Sequence, residues 1–368
     1  MHLSIVRFGF ILALAAVLAG CGGSSAQPGV SSGGKKRIVF LTNGSDPFWD
    51  ACRSGLEEGA KQFEIDKAGY VVAMEVNNGK PQGQIDKLRQ FASQGDVAAV
   101  AISVIQADNA AIIEEMKKLQ DKGIKIITVD GDVNREKFRD ARPYYIGTDN
   151  VVGGRVLGAA AKAILEARGK ASGGYVQFAG FTDNDNARNR MNGVKEAIGE
   201  KYTEDDRMAD GMDKSKAREN VRSAMANHKD LVALVGIWAY NAPAIAQVVS
   251  EAHARDKYAV VAFDAQAVAI EEMAKGNIDA MVVQNPFDMG FQSVRLLLAL
   301  MKDDQATIKD MFPSASEPDG DVYTTGLRLV APDGETPLKA ELFDSKTVEF
   351  MRLGTFREWL AKYKLTSS

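Results

Sequence analysis

Between Val260 and Pro286 the chain twice builds a short apolar run and stops it on a polar side chain. Val260 to Phe263 ends at Asp264 and Ala280 to Val283 ends at Gln284, with an Ala-rich helical segment, Ala267 to Ala274, in between. The order is strand, helix, strand. In an open parallel sheet the carboxyl ends of the strands face the ligand crevice, so Asp264 and Gln284 are expected at the mouth of a site and not in the core. The same grammar occurs earlier, where Ile126 to Val129 is a β-branched run ending on Asp130. Two lobes, each offering an acceptor at a strand end, imply one ligand held between them.

The alternation extends along most of the chain. Arg37 to Thr42, Val71 to Val76, Val97 to Ser103, Lys125 to Val129 and Tyr144 to Ile146 read as strands, with helices from Phe48 toward Asp66, Gln82 to Ser93 and Ala107 to Asp121. After a helix from Asn150 to Ala167 a second series begins: strands at Gly174 to Phe178 and Leu231 to Gly236 precede the two already described. Helices are expected at Asn186 to Ile198, Lys214 to Asn227, Ala242 to His253 and from Pro286 to Lys302. One last strand lies near Tyr323 to Leu329, and Ser345 to Tyr363 has the pattern of an amphipathic helix. The fold class is α/β, two doubly wound parallel-sheet lobes with helices on both faces.

Arg7 precedes an apolar run, Phe8 to Ala19, that suits a signal-peptide core and is too short for a mature membrane span. Directly after it, Leu18-Ala19-Gly20-Cys21 resembles the bacterial lipobox, which implies a signal peptide over 1–20 and a lipid on Cys21. Residues 21–35, rich in Gly and Ser, then form a flexible tether. With Cys21 acylated, Cys52 has no disulfide partner and is expected to be a buried free thiol. A net charge of −4 gives no reason to expect nucleic acid as a partner.

The three histidines, His2, His228 and His253, are scattered, so they assemble neither a metal site nor a Ser-His-Asp arrangement. Gly153, Gly154 and Gly158 lack the dinucleotide-turn spacing, and no phosphate-binding loop occurs; glycines inside a helix are expected to permit close packing on a sheet. No cofactor is implied. What remains is a set of polar and aromatic residues at strand ends: Asp46, Phe48 and Trp49 after the first strand, Ser103 after the third, Asp130 after the fourth, Asn184 to Arg190 after Phe178, then Trp238, Asp264 and Gln284. Carboxylates, a guanidinium and an amide make directional hydrogen bonds to vicinal hydroxyls, and aromatic faces pack on the C–H face of a polyol ring. That mixture suits a sugar. Each residue also has a plainer role, since an Asp at a strand end often just caps the next helix.

These residues resemble the periplasmic substrate-binding proteins of sugar ABC transporters, in the ribose-binding-like group that shares its fold with LacI-type repressor cores. Asp46-Pro47-Phe48-Trp49 looks like the Asn-Pro-Phe-Phe motif, Gly123 to Asp130 like the strand ending in aspartate, Tyr145 to Asn150 like the crossing between lobes, and Asn186 to Gly193 like the Ala-Arg-x-Arg helix start; Val261 to Asp264 and Val283 to Pro286 complete the order. The resemblance implies a type I periplasmic binding protein with ligand contacts from Asp46, Phe48, Trp49, Asp130, Arg190, Asp264 and Gln284, and Arg188 as a second candidate. It also implies a hinge of three crossings, near Gly147 to Asn150, near Gln284 to Pro286 and around Pro318. The N-terminal lobe then takes 36–147 and 286–318, and the C-terminal lobe takes 148–285 and 319–330. Residues 331–368 are left as an extension with a helix.

Three positions depart from the family pattern. Gly131 stands where an Arg often follows the strand-end Asp, Trp238 where an Asn is common, and Asp46 where the first loop has Asn. Losing a polar partner at a buried hydroxyl costs about 1 to 3 kcal/mol, which argues against ribose itself. The expected protein is a monomeric, lipid-anchored, extracytoplasmic receptor, not an enzyme, that delivers a sugar-like polyol to an ABC permease and its ATPase. A sensor that presents the same ligand to a chemoreceptor or histidine kinase and an extracytoplasmic sugar-acting enzyme are the alternatives. A repressor would need a basic DNA-binding segment in place of the leader and tether.

Overall fold

The computed structural model describes residues 34–368. The expected leader, Cys21 and all but the last two residues of the expected tether lie outside the described residues. Within them are two sheets. In the first, β1 (Lys36–Leu41), β2 (Tyr70–Glu75), β3 (Val97–Ile102), β4 (Lys125–Val129) and β5 (Tyr145–Gly147) are parallel. The second starts with β6 (Gly173–Ala179), β7 (Tyr202–Ala209), β8 (Leu231–Gly236), β9 (Ala259–Phe263) and β10 (Ala280–Val283), also parallel. The chain then adds β11 (Val322–Thr324) beside β5 in the first sheet, and β12 (Leu327–Ala331) and β13 (Val348–Arg352) in the second.

Period-two alternation sorts each strand's side chains into two cores. On β1, Ile38 and Phe40 enter one cluster while Val39 and Leu41 enter the cluster on the opposite face. On β9, Val261 and Phe263 face one way and Val260 and Ala262 the other. Runs apolar on both faces are what a sheet covered by helices on both sides requires. Cys52 is a buried free thiol in the first of these cores, as expected.

Two expectations about the end of the chain are corrected. The segment read as one strand, Tyr323 to Leu329, is two strands in different sheets, so the third crossing is at Thr325 and Gly326 and not around Pro318. Because β11 runs parallel to β5 toward the cleft, the chain enters the second sheet from its cleft edge, and β12 therefore runs antiparallel to β10. Nor are residues 331–368 an appendage. They supply the edge strand β13, parallel to β12, and the helix Leu353–Lys362, whose Phe356 and Leu360 join the core of the second sheet.

The helix glycines are also placed differently from expectation. A Cβ on Gly154 would stand 2.1 Å from the carbonyl oxygen of Arg190, and one on Gly158 would stand 2.6 Å from that of Val194. Helix Asn150–Ala167 thus lies directly on helix Asp185–Ile198; only Gly153 faces the sheet, against the ring of Phe263. Close approach of these helices sets the depth of Arg190. We predict that Gly154→Ala lowers stability by about 1 to 3 kcal/mol through overpacking, read as a lower melting temperature in thermal denaturation; an unchanged melting temperature would mean that the helices can part without cost.

Candidate functional site

Asp130 and Asp264 are the first residues beyond β4 and β9, and both leave the strand in the left-handed region, with φ of 62° and 61°. Their backbone N–H groups still donate to the neighbouring strands, Asp130 to Ile146 O at 3.0 Å and Asp264 to Val282 O at 2.7 Å. Each ladder therefore holds the chain while it turns. Both carboxylates are buried where the two sheets' carboxyl edges meet. Asp264 caps no helix: the helix Ala267–Ala274 has Gln266 at its N-cap, without a side-chain cap.

Arg190, from the first turns of helix Asp185–Ile198, lies between the two carboxylates and is 1% exposed. Its Nε donates to Asn150 Oδ1 at 2.9 Å, Nη1 donates to Ile237 O at 3.1 Å, and the guanidinium stacks on Phe263 at 4.3 Å. The approaches to carboxylates are longer: Nη2 is 3.6 Å from Asp130 Oδ1 and Nη1 is 3.8 Å from Asp264 Oδ2. These are charge contacts without hydrogen bonds, and the buried Nη2 has no hydrogen-bond partner. A cation fixed from behind keeps a free donor in front.

The remaining predicted residues close the cavity. Asp130 Oδ2 accepts from Ser103 Oγ at 3.3 Å and Asn186 Nδ2 at 3.2 Å. Gln284 Nε2 donates to Asp264 Oδ1 at 2.9 Å while its Oε1 accepts from Thr148 Oγ1 at 2.8 Å. Asp46 Oδ1 accepts from the Phe48 N–H at 3.0 Å, and its Oδ2 accepts from Gln266 Nε2 at 2.7 Å across the cleft. Phe48, Trp49 and Trp238 supply aromatic walls, and the Trp238 indole N–H donates to Asn186 Oδ1 at 2.8 Å. The space between these residues is a cavity of ≈ 40 Å³.

Eight of the ten residues expected around a ligand therefore line one cavity: Asp46, Phe48, Trp49, Asp130, Arg190, Trp238, Asp264 and Gln284. Ser103 stands one layer back, behind Asp130. Arg188 is turned away, pairing with Asp185 at 3.1 Å and approaching Asp108 at 3.7 Å, because residues two apart on a helix face different directions. Sequence reasoning missed Tyr240 and Met212. Tyr240 donates to the buried Asp210, which also accepts from the Met212 N–H at 2.8 Å. Asn186 lay in the motif quoted around Arg190, but nothing in its identity singled it out. Among the described residues, no group of three or more His, Cys, Asp or Glu is arranged to hold a metal ion. At Gly131 a Cβ would fall 2.6 Å from Val104 O, so this position has no room for a side chain as the backbone stands.

Residues 38–305 match the family described as the periplasmic binding protein domain. The chain belongs to this family. The binding protein is 24% identical over 281 residues to the D-allose-binding periplasmic protein of Escherichia coli K12, covering 75% of this chain and 87% of that one. Among solved structures, it resembles a Burkholderia graminis ABC transporter solute-binding protein in complex with D-arabinose, with a TM-score of 0.68 at 22% identity over 81% of this chain and 96% of that one. It also resembles the protein in the XylFII-LytSN complex, with a TM-score of 0.64 at 20% identity over 73% and 94%. The type I periplasmic binding protein fold is thereby established, and the chain stands with solute-binding proteins and not with sugar-acting enzymes.

Burial makes the site's carboxylates weak acids. Burial lifts Asp264 from 3.8 to about 7; Arg190 and the Gln284 amide pull it back, while Asp130 and Asp46 push it further up. Burial raises Asp130 and Asp46 as well. Native Asp264 thus keeps a proton through a pH range in which the unfolded chain has released its own, and proton binding favours the native state there. That contribution is complete below the unfolded value and is lost as pH rises through about 7. The melting temperature of the unliganded binding protein should fall between about pH 4 and about pH 7, and Asp264→Asn should flatten the decline. Differential scanning fluorimetry across that range checks this; parallel curves for the two proteins would remove Asp264 as the source.

Proposed function

We propose that the protein captures a monosaccharide or closely related polyol between its two lobes and delivers it to the permease of an ABC importer. The observation that carries this reading is Arg190 Nη2, a buried donor without a partner, on a guanidinium whose Nη2 approaches Asp130 and whose Nη1 approaches Asp264 without bonding either. A buried unpaired donor costs about 1 to 3 kcal/mol, more when charged, and a ligand hydroxyl that accepts from it and donates to Asp130 or Asp264 removes that cost. Phe48, Trp49 and Trp238 match the apolar face of the same ring. Family membership and relatives that bind D-allose and D-arabinose support the ligand class. The packed position of Gly131 and the carboxylate at Asp46 support a sugar other than ribose.

Entry requires the lobes to part. The cavity of ≈ 40 Å³ has room for about three waters, and Asn184 Nδ2 ties the second lobe to the first by donating to Val104 O and Ile105 O, both at 3.0 Å. Hinge rotation about the crossings after β5, after β10 and at Thr325 to Gly326 would open it. A second reading, a sensor that presents the sugar to a signalling protein, is favoured by one neighbour having been solved as a complex with LytSN. The lipobox-like run before Cys21 supports an anchored, extracytoplasmic receptor in either case.

Screened against D-allose, D-arabinose, D-glucose and D-galactose, the protein should gain thermal stability with at least one sugar, and that sugar should reduce the radius of gyration in small-angle scattering. Asp264→Ala should then weaken binding at least tenfold in titration calorimetry while the unliganded melting temperature moves little, since Asp130 stays beside Arg190. Unchanged affinity in a destabilised variant would make Asp264 structural and take the proposed site with it. For the anchor, Cys21→Ser should move the protein from the membrane to the soluble fraction; continued membrane partitioning would dispose of the lipid.

A further inference from the structure

The final residues of the described chain return to the ligand site. After helix Leu353–Lys362 the backbone reverses at Lys364, with φ of 56°, and Leu365 N–H donates to Leu360 O at 2.9 Å. Leu365 packs on the core of the second sheet. Ser368 then exchanges a pair of backbone hydrogen bonds with Ala265: the Ala265 N–H donates to Ser368 O at 2.6 Å, and the Ser368 N–H donates to Ala265 O at 3.1 Å. Its hydroxyl donates to Gln284 O at 3.0 Å. Ser368 is 2% exposed and Ala265 is fully buried. None of these last residues falls within 38–305, the span matched to the family.

The position of these contacts is what matters. Ala265 sits between Asp264, whose carboxylate faces the cavity in a left-handed backbone conformation, and Gln266, whose amide reaches Asp46 across the cleft. A non-glycine residue in that conformation persists where its surroundings over-determine it. Asp264 is fixed on one side by β10, through its own N–H on Val282 O and through Gln284 Nε2. On the other side the fixing contact is the bridge to Ser368. The same serine grips the backbone of Gln284, which begins a crossing between the lobes.

We propose that residues 365–368 form a strap that positions Asp264, Gln266 and Gln284 for the ligand. The strap rests on the reading of the cavity as the binding site, and it makes residues 365–368 determinants of affinity. Ser368 is a positioning residue and touches no ligand itself.

The test compares the full chain with a chain ending at Leu365, with Ser368→Ala, which keeps the backbone bridge and loses only the bond to Gln284, and with Ser368→Thr, which keeps a hydroxyl. Titration calorimetry with D-allose and D-arabinose should show affinity down at least tenfold in the shortened chain, about three- to tenfold in Ser368→Ala, and restored toward the full chain in Ser368→Thr. Hydrogen exchange of the unliganded proteins should be at least tenfold faster at 264–266 and 284–285 in the shortened chain, with the strands of the first sheet unchanged. Affinity within twofold of the full chain, or a lower melting temperature without loss of affinity, overturns the strap. Should the shortened chain fail to fold, Ser368→Ala decides by its affinity. If the full chain binds none of the four sugars of the thermal screen, the reading of the site falls separately, and unchanged exchange at 264–266 then overturns the strap on its own.

Discussion

The architecture turns on one guanidinium withdrawn from water between two carboxylates. Arg190 could not be buried without anionic neighbours, and Asp130 and Asp264 could not both ionise side by side without the cation. Yet the three are held just beyond bonding distance, because Asn150, the carbonyl of Ile237 and the ring of Phe263 fix the guanidinium from behind. The site is thus stable enough to persist and incompletely satisfied in one direction. A binding site with all its polar groups mutually paired would have to break bonds before making new ones.

Much of this was legible in the chain. Central strands buried on both faces appear as continuous apolar runs, and the polar residue that ends each run marks the cleft, which is how Asp130, Asp264 and Gln284 could be placed from residue types. Edge strands were harder. β7 carries Glu204, Asp205, Asp206 and Arg207 in succession and was missed, because a strand at the rim of a sheet need not be apolar. With β7 went the loop after it and Met212. β13 was absorbed into an expected helix for the same reason, since Val348 and Met351 are its only buried residues.

Arg188 and Arg190 show the limit of spacing arguments. Both fit the helix start equally well by composition, and only the packing of Gly154 against the Arg190 carbonyl determines which of them faces inward. Local sequence proposes both; the neighbouring helix selects one. The missed Tyr240 belongs to the same class, because its hydroxyl finds Asp210 only after the loops following β7 and β8 have been brought together.

The three crossings also order events in time. The first sheet takes β11 from residues 322–324, and the second takes β12 and β13 from residues beyond 326. Neither lobe is a continuous stretch of chain, so the first sheet waits for residues 322–324 and the second for residues 348–352. At about 5 to 20 residues per second, the early strands wait many seconds for partners encoded at the far end. A nascent chain of this topology keeps both sheets unfinished until residues beyond 320 have been made, which leaves it for that time in a state that can still be threaded through a narrow channel.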